Sequence, residues 1–102
     1  MSKKALNFDL SDVLLRKYYP SKNYKKAWSD IKYFLIKGGF RHRQYSGYVS
    51  KKDISMSKTI QIITRMSKKY KWLSLSVQEF DVTIVGDEYS LKRYISKENS
   101  FN

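Results

Sequence analysis

The alternation of apolar and polar positions divides the chain into a short series of elements. Residues 5–10, ALNFDL, form an apolar run closed by a polar cluster, the pattern of a buried strand. Asp9 is out of place there, because a bare carboxylate is costly inside a sheet. Ser11 or Asp12 caps a short helical segment through Lys17, which Pro20 stops. Tyr24, Ala27, Trp28, Ile31, Phe34 and Leu35 then recur at helical spacing, with Lys22, Lys25, Lys26, Ser29 and Lys32 on the other side. Gly38-Gly39 supplies the left-handed stop that a helix C-terminus favours.

Two short strands follow, residues 40–45 and 46–51, with no room for a long connection. The spacing predicts a second helix from about 56 to 71, with Ile60, Ile63, Met66 (or Ser67) and Tyr70 on its apolar stripe. Lys58, Gln61, Arg65, Lys68 and Lys69 make the opposite face, and Trp72 and Leu73 close the helix. Phe80, Val82 and Ile84 alternate with polar neighbours in a last central strand that ends at Gly86. In the mixed tail, residues 87–102, Tyr89, Leu91 and Tyr94 predict a docked piece, and 97–102 a frayed end. The order is strand, helix, strand, strand, helix, strand within a single domain spanning residues 1–102. That is an α+β, ferredoxin-like βαββαβ arrangement, one sheet with two helices on one face. The uncovered face, or an edge strand, is expected to make a homodimer.

Charge adds a partner to this picture. The chain carries 21 Lys and Arg against 9 Asp and Glu, a net charge of +12, and 16% of its residues are aromatic, nine of them tyrosine. Cations with interleaved tyrosines suit phosphates and bases, so a nucleic-acid partner is favoured over plain solubility or a membrane surface. The absence of cysteine excludes disulfides and thiolate metal sites and is compatible with a reducing cytosol. The N-terminal apolar run is too short for a signal peptide or a membrane span, and a soluble cytoplasmic protein is expected.

The same composition narrows the chemistry. One histidine and no cysteine rule out a His/Cys zinc site, and neither GxxxxGK[ST] nor GxGxxG is present. A Ser-His-Asp triad would have to use His42, and no nucleophile elbow accompanies it. His42 reads as a structural or surface residue more readily than as a general base. Asp9 has two open readings, a capping carboxylate at a strand end or a ligand for Mg²⁺ beside a phosphate path. The stretch RHRQYSGYVS, residues 41–50, places Gln44, Ser46 and Tyr48 at every second position behind Arg41, His42 and Arg43. A tight turn or bulge near 45–47 would gather these polar groups close to the strand that ends in Asp9.

These features, in order, resemble the virulence-associated protein D (VapD) family. ALNFDL is similar to the family's first strand with its aspartate. Leu14, Tyr19 and KKAW at 25–28 are similar to the segment that opens its first helix. GF at 39–40 precedes a Q-x-S-x-Y motif, here Gln44, Ser46 and Tyr48, and Trp72 and SV at 76–77 match the approach to the last strand. RHR at 41–43, an extra residue near 20–23 and the tail after Gly86 depart from the pattern. The resemblance implies a small endoribonuclease, in several members the toxin of a toxin–antitoxin pair. It also implies a ferredoxin-like dimer fold shared with the small adaptor nucleases of CRISPR spacer acquisition.

By that resemblance Asp9, Ser46 and Tyr48 are the candidate catalytic residues, Asp9 acting directly or through Mg²⁺. Arg41, His42, Arg43 and Gln44 are the candidate nucleic-acid contacts. RNA, a second copy of the chain and an antitoxin or other protein are the implied partners. Two other classes stay open: a non-catalytic nucleic-acid-binding adaptor dimer, and an inhibitor that sequesters a partner.

Overall fold

The computed structural model describes residues 2–43, 47–86, 89 and 91–95. Its elements are β1 (Lys3–Leu10), α1 (Asp12–Tyr18), α2 (Lys26–Lys37), β2 (Phe40–His42), β3 (Gly47–Ser50), α3 (Met56–Lys69), α4 (Lys71–Ser76) and β4 (Val77–Val85), with a 3₁₀ turn at Lys92–Tyr94. The strands form one four-stranded sheet in the order β2-β3-β1-β4. Every neighbouring pair is antiparallel. This α+β order, with the second and third strands as a hairpin and β1 central, is consistent with a ferredoxin-like fold.

Local chemistry sets the boundaries. Ser11 caps α1 by accepting from the Leu14 N–H at 3.1 Å, and Ser55 caps α3 through the Lys58 N–H at 3.0 Å. The capping role considered for Asp9 therefore falls to Ser11. Helix α2 ends at Gly38, and Gly39 takes the left-handed conformation at φ 97° that turns the chain into β2.

The register sorts each strand into two faces. Leu6 stands opposite Tyr48 and Val82, and Phe8 opposite Phe80, so these side chains share one face. That face packs with Leu15 of α1, Ala27, Ile31 and Leu35 of α2, Ile62 and Met66 of α3, and Trp72 and Leu73 of α4. The other face is uncovered by these helices and carries Lys3, Ala5, Asn7 and Asp9 along β1; Val49 is buried on it, apart from the core cluster.

Four expectations need correction. The buried stripe of α3 is Thr59, Ile62 and Met66; Met66 is buried as expected and Ile63 and Tyr70 pack against the core part-buried, but Thr59 and Ile62 take the innermost places and Ile60 is 57% exposed. Trp72 and Leu73 belong to a separate short helix, because the chain breaks at Tyr70 (φ −108°, ψ 94°) and α4 then turns both side chains inward. The last strand begins at Val77 rather than Phe80, is nine residues long and lies at an edge of the sheet rather than in its centre, because it pairs with β1 alone among the described strands. Tyr89, Leu91 and Tyr94 are exposed instead of docked. Among the described residues, no helix is long and apolar enough to cross a membrane.

A lysine belongs to the helix-covered face. Lys4 is only 4% exposed, and its ammonium donates to the Ser2 carbonyl (3.0 Å), Ser2 Oγ (3.0 Å) and the Ile54 carbonyl (2.7 Å). All three donors are thus used, which is how a charge is tolerated at such depth. Its backbone N–H donates to Ser50 Oγ, which in turn donates to the Lys52 carbonyl. This knot ties the start of the chain to the connection between β3 and α3.

Candidate active site

Asp9 lies at the end of β1, where a register shift between Asp9 and Leu10 interrupts the pairing with β4. Its side chain is exposed on the uncovered face. Directly opposite on β4 stands Glu79, also exposed. Side chains paired in this way have their Cβ atoms about 4.5–5.5 Å apart, and like charges so placed destabilise a sheet. The pair is a local cost that a cation would relieve. Glu79 was missed in the sequence because only the register brings it to Asp9, which lies 70 positions earlier in the chain.

The chemistry of the donor set suits a hard cation only in part. Among the described residues no group of three or more His, Cys, Asp or Glu side chains forms a metal cluster. Asp9 and Glu79 offer two carboxylates, and Mg²⁺ is commonly held by one or two carboxylates with water and substrate phosphate completing the shell. A cation shared with bound phosphate fits this site, whereas a dedicated protein cage does not.

Tyr48 lies elsewhere. It pairs with Leu6, three positions before Asp9, so its side chain is on the helix-covered face while Asp9 is on the other. It is 3% exposed, with its ring stacked 6.1 Å from Phe8 and 4.8 Å from His42. Burial pushes its phenol up from 10.0 to about 12. The structure does not bring Asp9 and Tyr48 together. His42, half-buried against Tyr48, shares that face and so stands apart from its neighbour Arg41.

Arg41 is exposed and in register with Val49 and Ala5 on the Asp9 face. Four residues along β1 and two strand spacings separate their positions, roughly 17 Å in all. One phosphate cannot touch both. Arg43, also exposed, closes the hairpin through its N–H to the Gly47 carbonyl at 2.8 Å, and Gly47 is in register with Asn7 at the Asp9 end of the sheet. Gln44 and Ser46 lie outside the described residues.

Two aromatic residues that carry the resemblance, Tyr19 and Trp72, have a packing role. The Tyr19 hydroxyl donates to Asp30 Oδ2 at 2.6 Å, and its ring meets Trp72 edge-on at 5.2 Å. Burial, reinforced by the hydrogen bond to Asp30, raises this phenol to about 12 as well.

With this geometry in place, comparison with known proteins is informative. The chain is 26% identical over 92 residues to Endoribonuclease VapD 2 of Riemerella anatipestifer, covering 90% of this chain and 98% of that protein. The similarity supports a relation to the VapD family. At 90% of the chain, it is not confined to one shared motif. No family model matches the chain.

The two raised phenols make an alkaline test of the fold. Because Tyr48 ionises higher in the folded chain than in the unfolded one, its contribution to stability is complete below about pH 10 and is lost as pH rises towards about 12. Tyr48→Phe is expected to unfold at the wild-type denaturant midpoint near neutral pH and to lose less stability over that alkaline window. Tyr19 continues to titrate in the variant, so the decline flattens without vanishing. Denaturant titrations at neutral pH and across the window measure both effects; an unchanged alkaline slope in the variant would contradict the burial of this hydroxyl.

Proposed function

We propose that the chain is a VapD-like endoribonuclease whose reactive carboxylate is Asp9 on the uncovered sheet face. The observation that carries this reading is similarity to an endoribonuclease over nearly the full length of both chains. An exposed carboxylate at an irregular strand end, outside the hydrophobic core, agrees with it.

In this reading Asp9 accepts the proton of the attacking hydroxyl, either the ribose 2′-OH or a water, as its oxygen bonds to phosphorus; the bond from phosphorus to the leaving bridging oxygen breaks, and that oxygen takes a proton from solvent. Arg43, on the same side as Asp9 and at the same end of the sheet, would neutralise phosphate charge, and Arg41 would hold the strand further along. Mg²⁺, where bound by Asp9 and Glu79, would add charge neutralisation at the phosphate. Tyr48 supports the strand pair from beneath. Tyr48→Phe is therefore expected to retain cleavage, in contrast to a role for its hydroxyl at the scissile phosphate. The test is to incubate end-labelled RNA with purified protein and resolve the products. Internal cleavage supports the enzyme. Binding without cleavage would favour a non-catalytic adaptor, a reading that the separation of Tyr48 from Asp9 keeps open.

A homodimer through β4 is also proposed. β4 ends the sheet order, carries no Lys, Arg or Pro, and leaves Val82 and Ile84 exposed beside Ile60 of α3. Long apolar edges without such guards pair readily with another strand. Light scattering on the eluted protein is expected to give twice the chain mass for wild type and the single mass for Ile84→Lys. A monomeric wild type at assay concentration removes the proposal.

A further inference from the structure

Charge is unevenly spread over the two sides of the molecule. Residues 55–76, which form α3 and α4, contain five cations, Lys58, Arg65, Lys68, Lys69 and Lys71, and no Asp or Glu. β4 is the reverse, with Glu79 and Asp81 and no cation. The strongest positive field therefore lies over the helical layer, not over the sheet face that bears Asp9.

Within that field one cluster joins cations to aromatic rings. Tyr33 and Phe34 of α2 lie near the end of their helix, as do Lys69 and Tyr70 at the end of α3. The Lys37 ammonium stands 5.0 Å from the Tyr33 ring centre. Lys69 reaches across from the other helix, 6.0 Å from Phe34 and 5.7 Å from Tyr70. Phe34 and Tyr70 meet edge-on at 6.1 Å, which braces the two helices. The Tyr33 phenol is held below its ordinary value by a hydrogen bond from Lys37, with Lys69 adding to the effect, so both ammonium groups act on one side chain.

A structural account covers part of this. Lysines in a helix's last turn offset its dipole, and Lys37 and Lys69 both occupy such positions. Phe34 and Tyr70 are half-buried and contribute to packing. Tyr33 is different: it is 58% exposed, next to an exposed Ile36, and buries little against the chain. An exposed aromatic ring with one ammonium beside it and a second at the end of the neighbouring helix is matched by a base lying on the ring while its phosphates meet the cations. Bases within a duplex are already stacked on one another, so the fit is to a single strand.

We propose that Tyr33, Lys37, Lys69 and the flanking Phe34 and Tyr70 form a docking patch for single-stranded nucleic acid on the helical side of the molecule. It is separate from the Asp9 face, since the helices cover the opposite side of the sheet. A strand held there is anchored at a distance from the reactive carboxylate, so binding and cleavage draw on different residues.

The test uses anisotropy of a fluorescein-labelled 2′-O-methyl oligouridine, which lacks the free 2′-hydroxyl. Inorganic polyphosphate serves as a competitor without bases, and an RNA duplex as a second one. Tyr33→Ala is expected to weaken oligouridine binding roughly tenfold, the scale of one lost base–aromatic stack. Polyphosphate affinity should stay the same, and Tyr33→Phe should bind like wild type. The double variant Lys37→Ala/Lys69→Ala should weaken both ligands and flatten the dependence of log affinity on log salt by roughly 1 to 2. All these side chains except Phe34 and Tyr70 are exposed, so circular dichroism should be unchanged.

Oligouridine binding by Tyr33→Ala at wild-type strength would overturn the proposal, as would an equal loss for oligouridine and polyphosphate. Duplex bound as tightly as the single strand would overturn the single-strand assignment. Because the readout is binding, failure here leaves the ribonuclease reading intact, and absence of cleavage leaves this patch intact.

Discussion

Asp9→Asn is expected to lower RNA cleavage by about 10²–10⁴-fold, the usual contribution of a positioned general acid or base. RNA affinity should hold or rise slightly, because the change removes a negative charge from a surface that meets phosphate. Stability should stay close to wild type, since Asp9 is exposed and asparagine has the same shape. The two measurements together decide the meaning. Cleavage lost while binding and melting hold assigns the carboxylate to chemistry. Glu79→Gln separates the two acidic residues: a smaller loss that is corrected by added Mg²⁺ marks Glu79 as a metal or charge-balancing group. If EDTA leaves wild-type cleavage untouched, Asp9 works without metal. Wild-type cleavage by Asp9→Asn would remove the proposed site altogether.

How much of this was legible in the sequence depends on which kind of signal each residue carries. Periodicity located α2 well, because Ala27, Ile31 and Leu35 are buried as their spacing implies. It misplaced the stripe of α3, where Thr59 is buried and Ile60 is not. Hydropathy favours Ile60, but the helix is oriented by its packing against the sheet and α4. The threonine is accommodated because its hydroxyl donates to the Ser55 carbonyl at 2.9 Å.

Site residues were harder. A turn or bulge near 45–47 was expected to gather Gln44, Ser46 and Tyr48 close to Asp9; Gln44 and Ser46 lie outside the described residues, and Tyr48 turns inward to Phe8. The register between β1 and β3 decides that, and register is a tertiary fact. The same holds for Glu79, whose partnership with Asp9 exists only once β4 lies beside β1. Several residues that carried the resemblance, Tyr19, Ala27 and Trp72, prove to be packing residues. They speak for the fold and carry no chemistry of their own.

Lys4→Met is expected to destabilise the protein by about 2–3 kcal/mol, an unusual cost for removing a lysine. Most lysines on this chain are exposed, and replacing one of them should shift stability by no more than about 0.5 kcal/mol. Lys4 differs because its ammonium satisfies the Ser2 and Ile54 carbonyls and Ser2 Oγ in a setting with little water to replace it. Methionine keeps most of the apolar stem and is one heavy atom shorter, so the loss reports chiefly the three hydrogen bonds of the ammonium. Lys3→Met is the matched control, one position away on the uncovered face. For a domain of this size, about 2 kcal/mol lowers the melting temperature by roughly 8–16 °C. The denaturant slope should not change, because the extent of the core is unaltered. The link between Ser2 and Ile54 should loosen first, since the bridge between them is isolated from the rest of the sheet. Faster amide exchange at the Ile54 N–H, which donates to the Ser2 carbonyl at 2.9 Å, would register that loosening directly. A Lys4→Met protein as stable as the Lys3→Met control would mean that these carbonyls find water as easily as they found the ammonium.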